Sequence, residues 1–234
     1  MKVIINPKYS ELTSFVNSIP YRFGKEGEMI YDERNQLKRF SAEGYDIIVK
    51  RFRKPHIINR FAYSFVRPSK AERSYQYALL LLEKGITTPS PIAYIEDKEA
   101  GLLNYSYYIC LYEKESSHIR KQMLGEEGGK EFQKELAIYI AGLHNKGILN
   151  NDLSPGNILF RKEGNQFVFS LIDINRMKFM KKIPMETRYK NFKRISENVE
   201  IITYMAKEYA RACSLNEKEA VAEINKYCAK FYKK

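Results

Sequence analysis

"NNDLSPGNILF", residues 150–160, decides how this chain is read. Asp152 and Asn157 stand at the two ends of a short loop. Ser154, Pro155 and Gly156 between them are turn formers, and an apolar run follows at once. Downstream, "KEGN" (162–165) reads as a turn and "FVFSLIDI" (167–174) as a second strand that ends at Asp173. In an antiparallel hairpin the start of one strand neighbours the end of the other, so Asn157 and Asp173 are expected side by side. A carboxylate beside an amide oxygen is a hard-oxygen pair suited to Mg²⁺, which takes its other ligands from water and phosphate. Asp152, across the same loop, is then placed to accept a proton from an attacking hydroxyl. Each residue also has a plainer reading: Asp152 as a turn acid, Asn157 as an Asx turn, Asp173 as a strand-end cap.

Outward from the loop, "EFQKELAIYIAGLHNKG" (131–147) places Phe132, Leu136, Ile140 and Leu143 on one helical face. The polar stretch "KESSHIRKQMLGEEGGK" (114–130) ahead of it is the candidate boundary between two lobes. The first third reads as strand-rich, with "QLKRFSAEGYDIIVKRF" (36–52) as a hairpin turning at Ala-Glu-Gly. A helix follows in "RPSKAERSYQYALLLLEKGITTPSP" (67–91). It is capped by Ser69 and Glu72 and closed by Gly85, with Pro89 and Pro91 beyond. "YSYYICLYE" (105–113) is another strand, and the tail from about Ile195 is helical, with a second capping box at Ser214 and Glu217. The order is that of an α+β chain in two unequal lobes.

Composition narrows the function. The 234 residues, 44% of them hydrophobic, suffice for a real core. With 40 Lys+Arg against 28 Asp+Glu, the net charge of +12 favours anionic partners. Cys110, Cys213 and Cys228 show no CxxC spacing, and His56, His118 and His144 no metal-ligand spacing, so neither a disulfide framework nor a zinc site is expected. No window is apolar and long enough to span a membrane, and "MKVIINPKYSEL" has no signal-peptide run.

The spacing D-x-x-x-x-N, then a hairpin, then an Asp at a strand end, resembles the catalytic and metal-binding loops of the protein-kinase-like fold. The resemblance runs from about Phe23 to Asp173. It implies a bilobal fold in one domain, 1–234: a small, mostly antiparallel β N-lobe (about 1–113) and a reduced α-helical C-lobe (about 114–234). It implies Asp152 as catalytic base, Asn157 and Asp173 as Mg²⁺ ligands, and ATP as the phosphoryl donor. Leu143, His144 and Gly147 also fit the pattern, with His144 structural. Lys50 matches the strand lysine that pairs with the nucleotide's α/β phosphates. Glu72 is its expected helix partner, with Gln76 one turn later as the alternative. Alternation puts Ile48 and Lys50 on one side of their strand, Val49 and Arg51 on the other; a solvated edge charge is the plainer account of Lys50. "CLYE" (110–113) is the expected hinge, with Tyr112 and Glu113 offering backbone to adenine. There is no GxGxxG; in "FGKEGEMIYDERN" (23–35) only Gly24 and Gly27 are offered for a phosphate-covering turn, with Arg34 as a further phosphate contact.

Departures choose the branch. Ser154 stands where protein kinases usually carry Lys, Asn150 where they carry His, and Asp173-Ile174-Asn175 replaces Asp-Phe-Gly. Residues 174–234 contain no Ala-Pro-Glu and leave little room for a peptide-binding lobe. "SKAERSYQYALLLLEKGITTPSPIAY", "NDLSPGN" and "IDINR" are similar to the lipopolysaccharide kinase (Kdo/WaaP-type) family. Its members phosphorylate a core sugar of a bacterial glycolipid at the inner face of the cytoplasmic membrane. The resemblance therefore implies a cytoplasmic enzyme with an anionic glycolipid acceptor. Two acid-poor basic stretches suit such a partner or an anionic membrane surface. One holds Lys50, Arg51, Arg53 and Lys54 with Phe61, Tyr63 and Phe65; the other is "RMKFMKKIPMETRYKNFKR" (176–194). A solvated face is the plainer account, and no nucleic-acid motif accompanies them. The rival readings are a kinase of a soluble metabolite or protein, and a pseudokinase scaffold.

Overall fold

The computed structural model describes residues 1–232 apart from Arg34, Ile57, Asn59, Phe61, Ala62, Ser64, Phe65, Glu115, Glu126, Glu127 and Gly128. The chain divides into two compact units, Met1–Glu83 with Thr88–Lys114, and Lys84–Thr87 with Glu115–Lys234.

The first unit is built on an antiparallel sheet. Strand Lys2–Ile5 (β1), a 3-10 turn Pro7–Leu12 and helix Thr13–Arg22 (α1) lead into strands Glu28–Asp32 (β2), Asn35–Ala42 (β3) and Tyr45–Phe52 (β4). Helix Lys70–Glu83 (α2) and strands Pro91–Glu99 (β5) and Leu102–Leu111 (β6) complete it, in the strand order β1-β5-β6-β4-β3-β2. The expected hairpin is β3–β4. Its two-residue turn, Glu43 and Gly44, has both residues at positive φ, the geometry that matches strand twist. Helix α1 corrects the strand-rich reading of the first third. Pro20 lies inside it and hides its helical character, yet Phe15, Ile19 and Phe23 recur every fourth residue and are buried. They pack on one face of the sheet, where the rings of Phe15 and Phe23 meet Phe40, and Phe23 also meets Tyr107.

The opposite sheet face carries α2. Ser69 Oγ accepts the Glu72 N–H at 3.1 Å, the expected cap, and Gly85 closes the helix at φ +68°. Tyr75 of α2 stacks against Tyr94 of β5, ring centroids 5.4 Å apart.

The second unit begins with strand Ser117–His118 (β7), helix Arg120–Leu124 (α3) and helix Gly129–Asn145 (α4). Phe132, Leu136, Ile140 and Leu143 form the buried face of α4, as their spacing predicts. Strand Ile148–Asn150 (β8), the loop, and the hairpin of Ile158–Glu163 (β9) and Gln166–Leu171 (β10) follow. Phe132 sits edge-on to Phe160, Phe167 and Phe169 of that hairpin, at 4.9, 4.9 and 5.4 Å, and so anchors the loop's following strand to α4. Strand Met177–Phe179 (β11) pairs with β8, and helices Met185–Lys190 (α5), Val199–Ala212 (α6) and Glu217–Tyr232 (α7) complete the unit.

The capping box expected at Ser214 and Glu217 is not formed. Ser214 adopts φ +53° and closes α6 instead, with Leu215 N–H bonded to Ala210 C=O and Ser214 N–H to Arg211 C=O. The cap of α7 is Asn216, whose Oδ1 accepts the Glu219 N–H at 3.0 Å.

Candidate active site

Asp152 owes its position to backbone bonds, with two asparagine side chains on either side of it. Asn150 Oδ1 accepts the Asp152 N–H at 2.9 Å, and Asn157 Nδ2 donates to the Asp152 carbonyl at 2.8 Å. The Asn157 N–H closes the turn on the Ser154 carbonyl at 2.9 Å, and Leu153 is buried beneath. A turn acid would accept an N–H of its own loop. The Asp152 carboxylate does not; it faces two guanidiniums, Arg194 Nη1 on Oδ1 and Arg176 Nη1 on Oδ2 at 3.5 Å.

Behind the loop runs a partly buried chain of hydrogen bonds. Asn191 Nδ2 donates to the Asn150 carbonyl at 2.8 Å, which leaves Asn191 Oδ1 to accept from His144 Nε2 at 3.0 Å. His144 Nδ1 therefore accepts from the Tyr209 hydroxyl at 2.9 Å, and the imidazole is neutral. Burial is the main cause that holds His144 down at about 4, helped by Arg188 and opposed by the Asn191 hydrogen bond. The unfolded chain binds this proton near the ordinary histidine value, so it holds more protons than the folded one between about pH 6.5 and 4. The stability contributed is present above that window and is lost as pH falls through it, up to about 3 kcal/mol from this group. Denaturation titrations from pH 7 to 4 should show that slope, and His144→Gln should flatten it. Equal slopes in both proteins would contradict the assignment.

Asp173 sits one residue past the hairpin's end. Ile158 lies opposite Leu171, and the Ile172 N–H extends the ladder to the Asn157 carbonyl at 3.0 Å. The start of β9 and the end of β10 are thus neighbours, as the antiparallel reading requires. Asp173 has φ +51° and ψ 48°, a left-handed conformation that ends the strand and that Asp tolerates better than most residues. Asn175 Nδ2 donates to its Oδ1 at 2.6 Å. With Asn157 Nδ2 committed to the Asp152 carbonyl, Oδ1 is the amide atom that could serve as a ligand. One amide oxygen and one carboxylate fit a hard divalent cation that takes the rest of its shell from phosphate and water. Among the described residues no group of three or more His, Cys, Asp or Glu side chains offers a metal site.

The remaining expected site residues lie in the first unit. Lys50 is on β4, opposite Tyr108 of β6, which is opposite Tyr94 of β5. This row shares the sheet face on which α2 packs, and Val49 is buried on the α1 face, so the expected alternation holds. The Lys50 ammonium lies 5.2 Å from the Phe52 ring centroid. Glu72 holds a different lysine: its carboxylate accepts from Lys2 Nζ at 3.3 Å, Tyr94 OH at 3.2 Å and Gln76 Nε2 at 3.2 Å. The reason is its place in the first turn of α2, above β5 and next to the β1 edge, two strands away from Lys50. Gln76, the alternative partner, is exposed and bonded to Glu72.

Gly24 and Gly27 precede β2, at the opposite end of the β2–β3 hairpin from its turn, so neither lies on that turn. Gly27 has a packing reason instead: a Cβ there would meet the Phe40 ring at 2.6 Å. Arg34, Phe61 and Phe65 lie outside the described residues. In the expected hinge, the Tyr112 N–H is bonded to the Asp46 carbonyl at 2.9 Å and the Leu111 N–H to the Ser90 carbonyl at 3.0 Å. An adenine contact by Tyr112 would therefore use its carbonyl. The Arg39 guanidinium covers the Tyr112 ring at 4.6 Å, and Glu113 follows it in the chain.

A family model described as the lipopolysaccharide kinase (Kdo/WaaP) family matches residues 38–215, most of the chain. The chain belongs to that family. It is a kinase. Among solved structures, one titled "WaaP in complex with acyl carrier protein" superposes with a TM-score of 0.67 at 16% identity, over 99% of this chain and 100% of that one. The fold is therefore the protein-kinase-like fold. No curated protein matches in sequence. Among the described residues, no helix of this Kdo/WaaP-family chain is long and apolar enough to cross a membrane.

Several residues around the family's loop escape a reading by spacing. Arg176 and Arg194 sit inside the basic run 176–194, where charge density was visible but not which two guanidiniums turn to Asp152. Arg120 of α3 reaches Gly156: a Cβ there would lie 3.4 Å from Arg120 Nη2. Asn191 carries no motif signal. Asn150 has one, since it stands two residues before Asp152, but its Oδ1 bond to the loop is visible only in three dimensions.

Proposed function

We propose that this chain transfers the γ-phosphoryl group of ATP, with Mg²⁺, to a sugar hydroxyl of a lipopolysaccharide-core-type glycolipid. The observation that carries this reading is the loop of Asp152 and Asn157 beside the strand end at Asp173, in a member of the lipopolysaccharide kinase family. In this reading the two units are the N-lobe (about 1–113) and C-lobe (about 114–234) of one kinase domain. Asn157 Oδ1 and the Asp173 carboxylate hold the cation, which when bound neutralises β- and γ-phosphate charge. Lys50 pairs with the α/β phosphates, and the Tyr112–Glu113 segment meets adenine. Asp152 accepts a hydrogen bond from the acceptor hydroxyl and orients it for in-line attack. It takes the proton as the new O–P bond forms and the bond between the γ-phosphorus and the β–γ bridging oxygen breaks, releasing ADP. The net charge of +12 suits work at the anionic inner face of the cytoplasmic membrane.

The test is transfer of labelled γ-phosphate from ATP with Mg²⁺ into fractionated bacterial envelope glycolipid and into soluble protein. Wild type should label the glycolipid. Asp173→Asn should lose that label and weaken Mg-dependent ATP binding at least tenfold, while keeping the fold, because Asn also tolerates a left-handed backbone. Label confined to protein, or an Asp173→Asn protein that titrates with Mg-ATP like wild type, would refute the reading.

A further inference from the structure

Each oxygen of the Asp152 carboxylate is met by one arginine, Arg194 on Oδ1 and Arg176 on Oδ2. The segments that carry both arginines are bonded to the loop or the chain behind it. Asn151 Nδ2 donates to the Arg176 carbonyl at 2.7 Å. The short turn Asn191–Arg194 is tied through Asn191 to the Asn150 carbonyl and to His144. The side chains are otherwise open: that of Arg176 is 55% exposed and that of Arg194 41%, against 16% for Asp152. Rigid bases with exposed heads make a preorganised pair of anion donors. A guanidinium donates a planar pair of N–H groups to carboxylate or phosphate, and charge-assisted bonds are about twice as strong as neutral ones.

We propose that Arg176 and Arg194 form a clamp for an anionic group, carboxylate or phosphate, on the acceptor sugar, and that they cap Asp152 until such a group arrives. This deepens the reading above and rests on Asp152 facing the acceptor hydroxyl. A neutral hydroxyl competes poorly with two guanidiniums for the carboxylate. An acceptor that brings its own anion gives the guanidiniums a second partner, turns them off Asp152 and leaves the carboxylate to receive the hydroxyl hydrogen bond. Selection for a charged sugar and activation of the base then follow from the same two side chains.

The test uses glycan released from envelope lipid by deacylation, in three forms: untreated, phosphatase-treated and carboxyl-methylated. Binding is measured by calorimetry without nucleotide, and phosphoryl transfer separately with Mg-ATP. Wild type should bind the untreated form at least tenfold more tightly than one of the two neutralised forms, and which form weakens identifies the anion as phosphate or carboxylate. The double variant Arg176→Ala, Arg194→Ala should bind all three forms alike. Arg194→Lys, which keeps charge but loses the planar donor pair, should fall between. Wild type binding the three forms equally, or none of them, or the double variant keeping the wild-type preference, would overturn the clamp. Charge-dependent binding without transfer would uphold the clamp and overturn the kinase reading of the acceptor.

Discussion

Asp152→Asn is expected to bind Mg-ATP within about twofold of wild type while phosphoryl transfer falls by about 10²–10⁴, the range for losing a positioned general base. The structure says why this substitution isolates the carboxylate. The Asp152 N–H and carbonyl, bonded to Asn150 and Asn157, hold the turn, so an isosteric amide leaves the backbone as it was. Among the described residues the side chain is bonded to the two guanidiniums, and an amide oxygen still offers them one acceptor. What the amide cannot do is take a proton. Single-turnover transfer and equilibrium nucleotide binding, measured on the same folded protein, decide the matter. Parallel loss of binding and transfer would make Asp152 part of the nucleotide site, and undiminished transfer would return it to a turn acid.

The second large effect concerns stability. Gly147→Ala should destabilise the protein by about 4 kcal/mol or more, beyond the usual range for single substitutions. Gly147 closes α4 at φ +72°, and a Cβ there would sit 1.8 Å from the Met180 carbonyl oxygen. The contact cannot relax locally, because the Met180 N–H is bonded to the Gly147 carbonyl at 2.8 Å just past the β8–β11 pairing. Moving Met180 would pull on β11 and hence on Asn150, the last paired residue of β8. Gly142→Ala is the contrast. It lies within α4 with open space around its Cβ position, and should gain about 0.5–1 kcal/mol. Urea denaturation of the two variants tests both signs, and similar small changes would show that close approach is not the reason for Gly147.

Much of this was legible because periodicity and turn chemistry are local. The hairpins β3–β4 and β9–β10, the apolar face of α4 and the closure of α2 at Gly85 follow from residues near one another in sequence. The pairing of the start of β9 with the end of β10, which brings the Asn157 and Ile172 backbones together, was legible for the same reason, since a hairpin turns sequence symmetry into pairing. The misreadings share a cause too. Ser214 and Glu217 have capping-box spacing, but the carbonyls of the preceding helix claim Ser214 first. Gly24 and Gly27 look like loop glycines, yet Gly27 is small for the sake of Phe40, thirteen positions on. Glu72 answers to Lys2, and Asp152 to Arg194; both contacts bring together residues that no periodic pattern relates.

The segment by which the chain is recognised, 38–215, is smaller than what folds around it. Ahead of it, α1 covers one face of the six-stranded sheet with Phe15, Val16, Ile19 and Phe23, and β1 sends Lys2 to the helix that packs on the other. After it, Ala220, Ile224 and Cys228 of α7 are buried. A protein trimmed to the recognised boundaries would expose an apolar sheet face to water, and solvent exposure there would favour association over catalysis. The recognised segment holds the candidate site, while the flanks outside it carry part of the solubility.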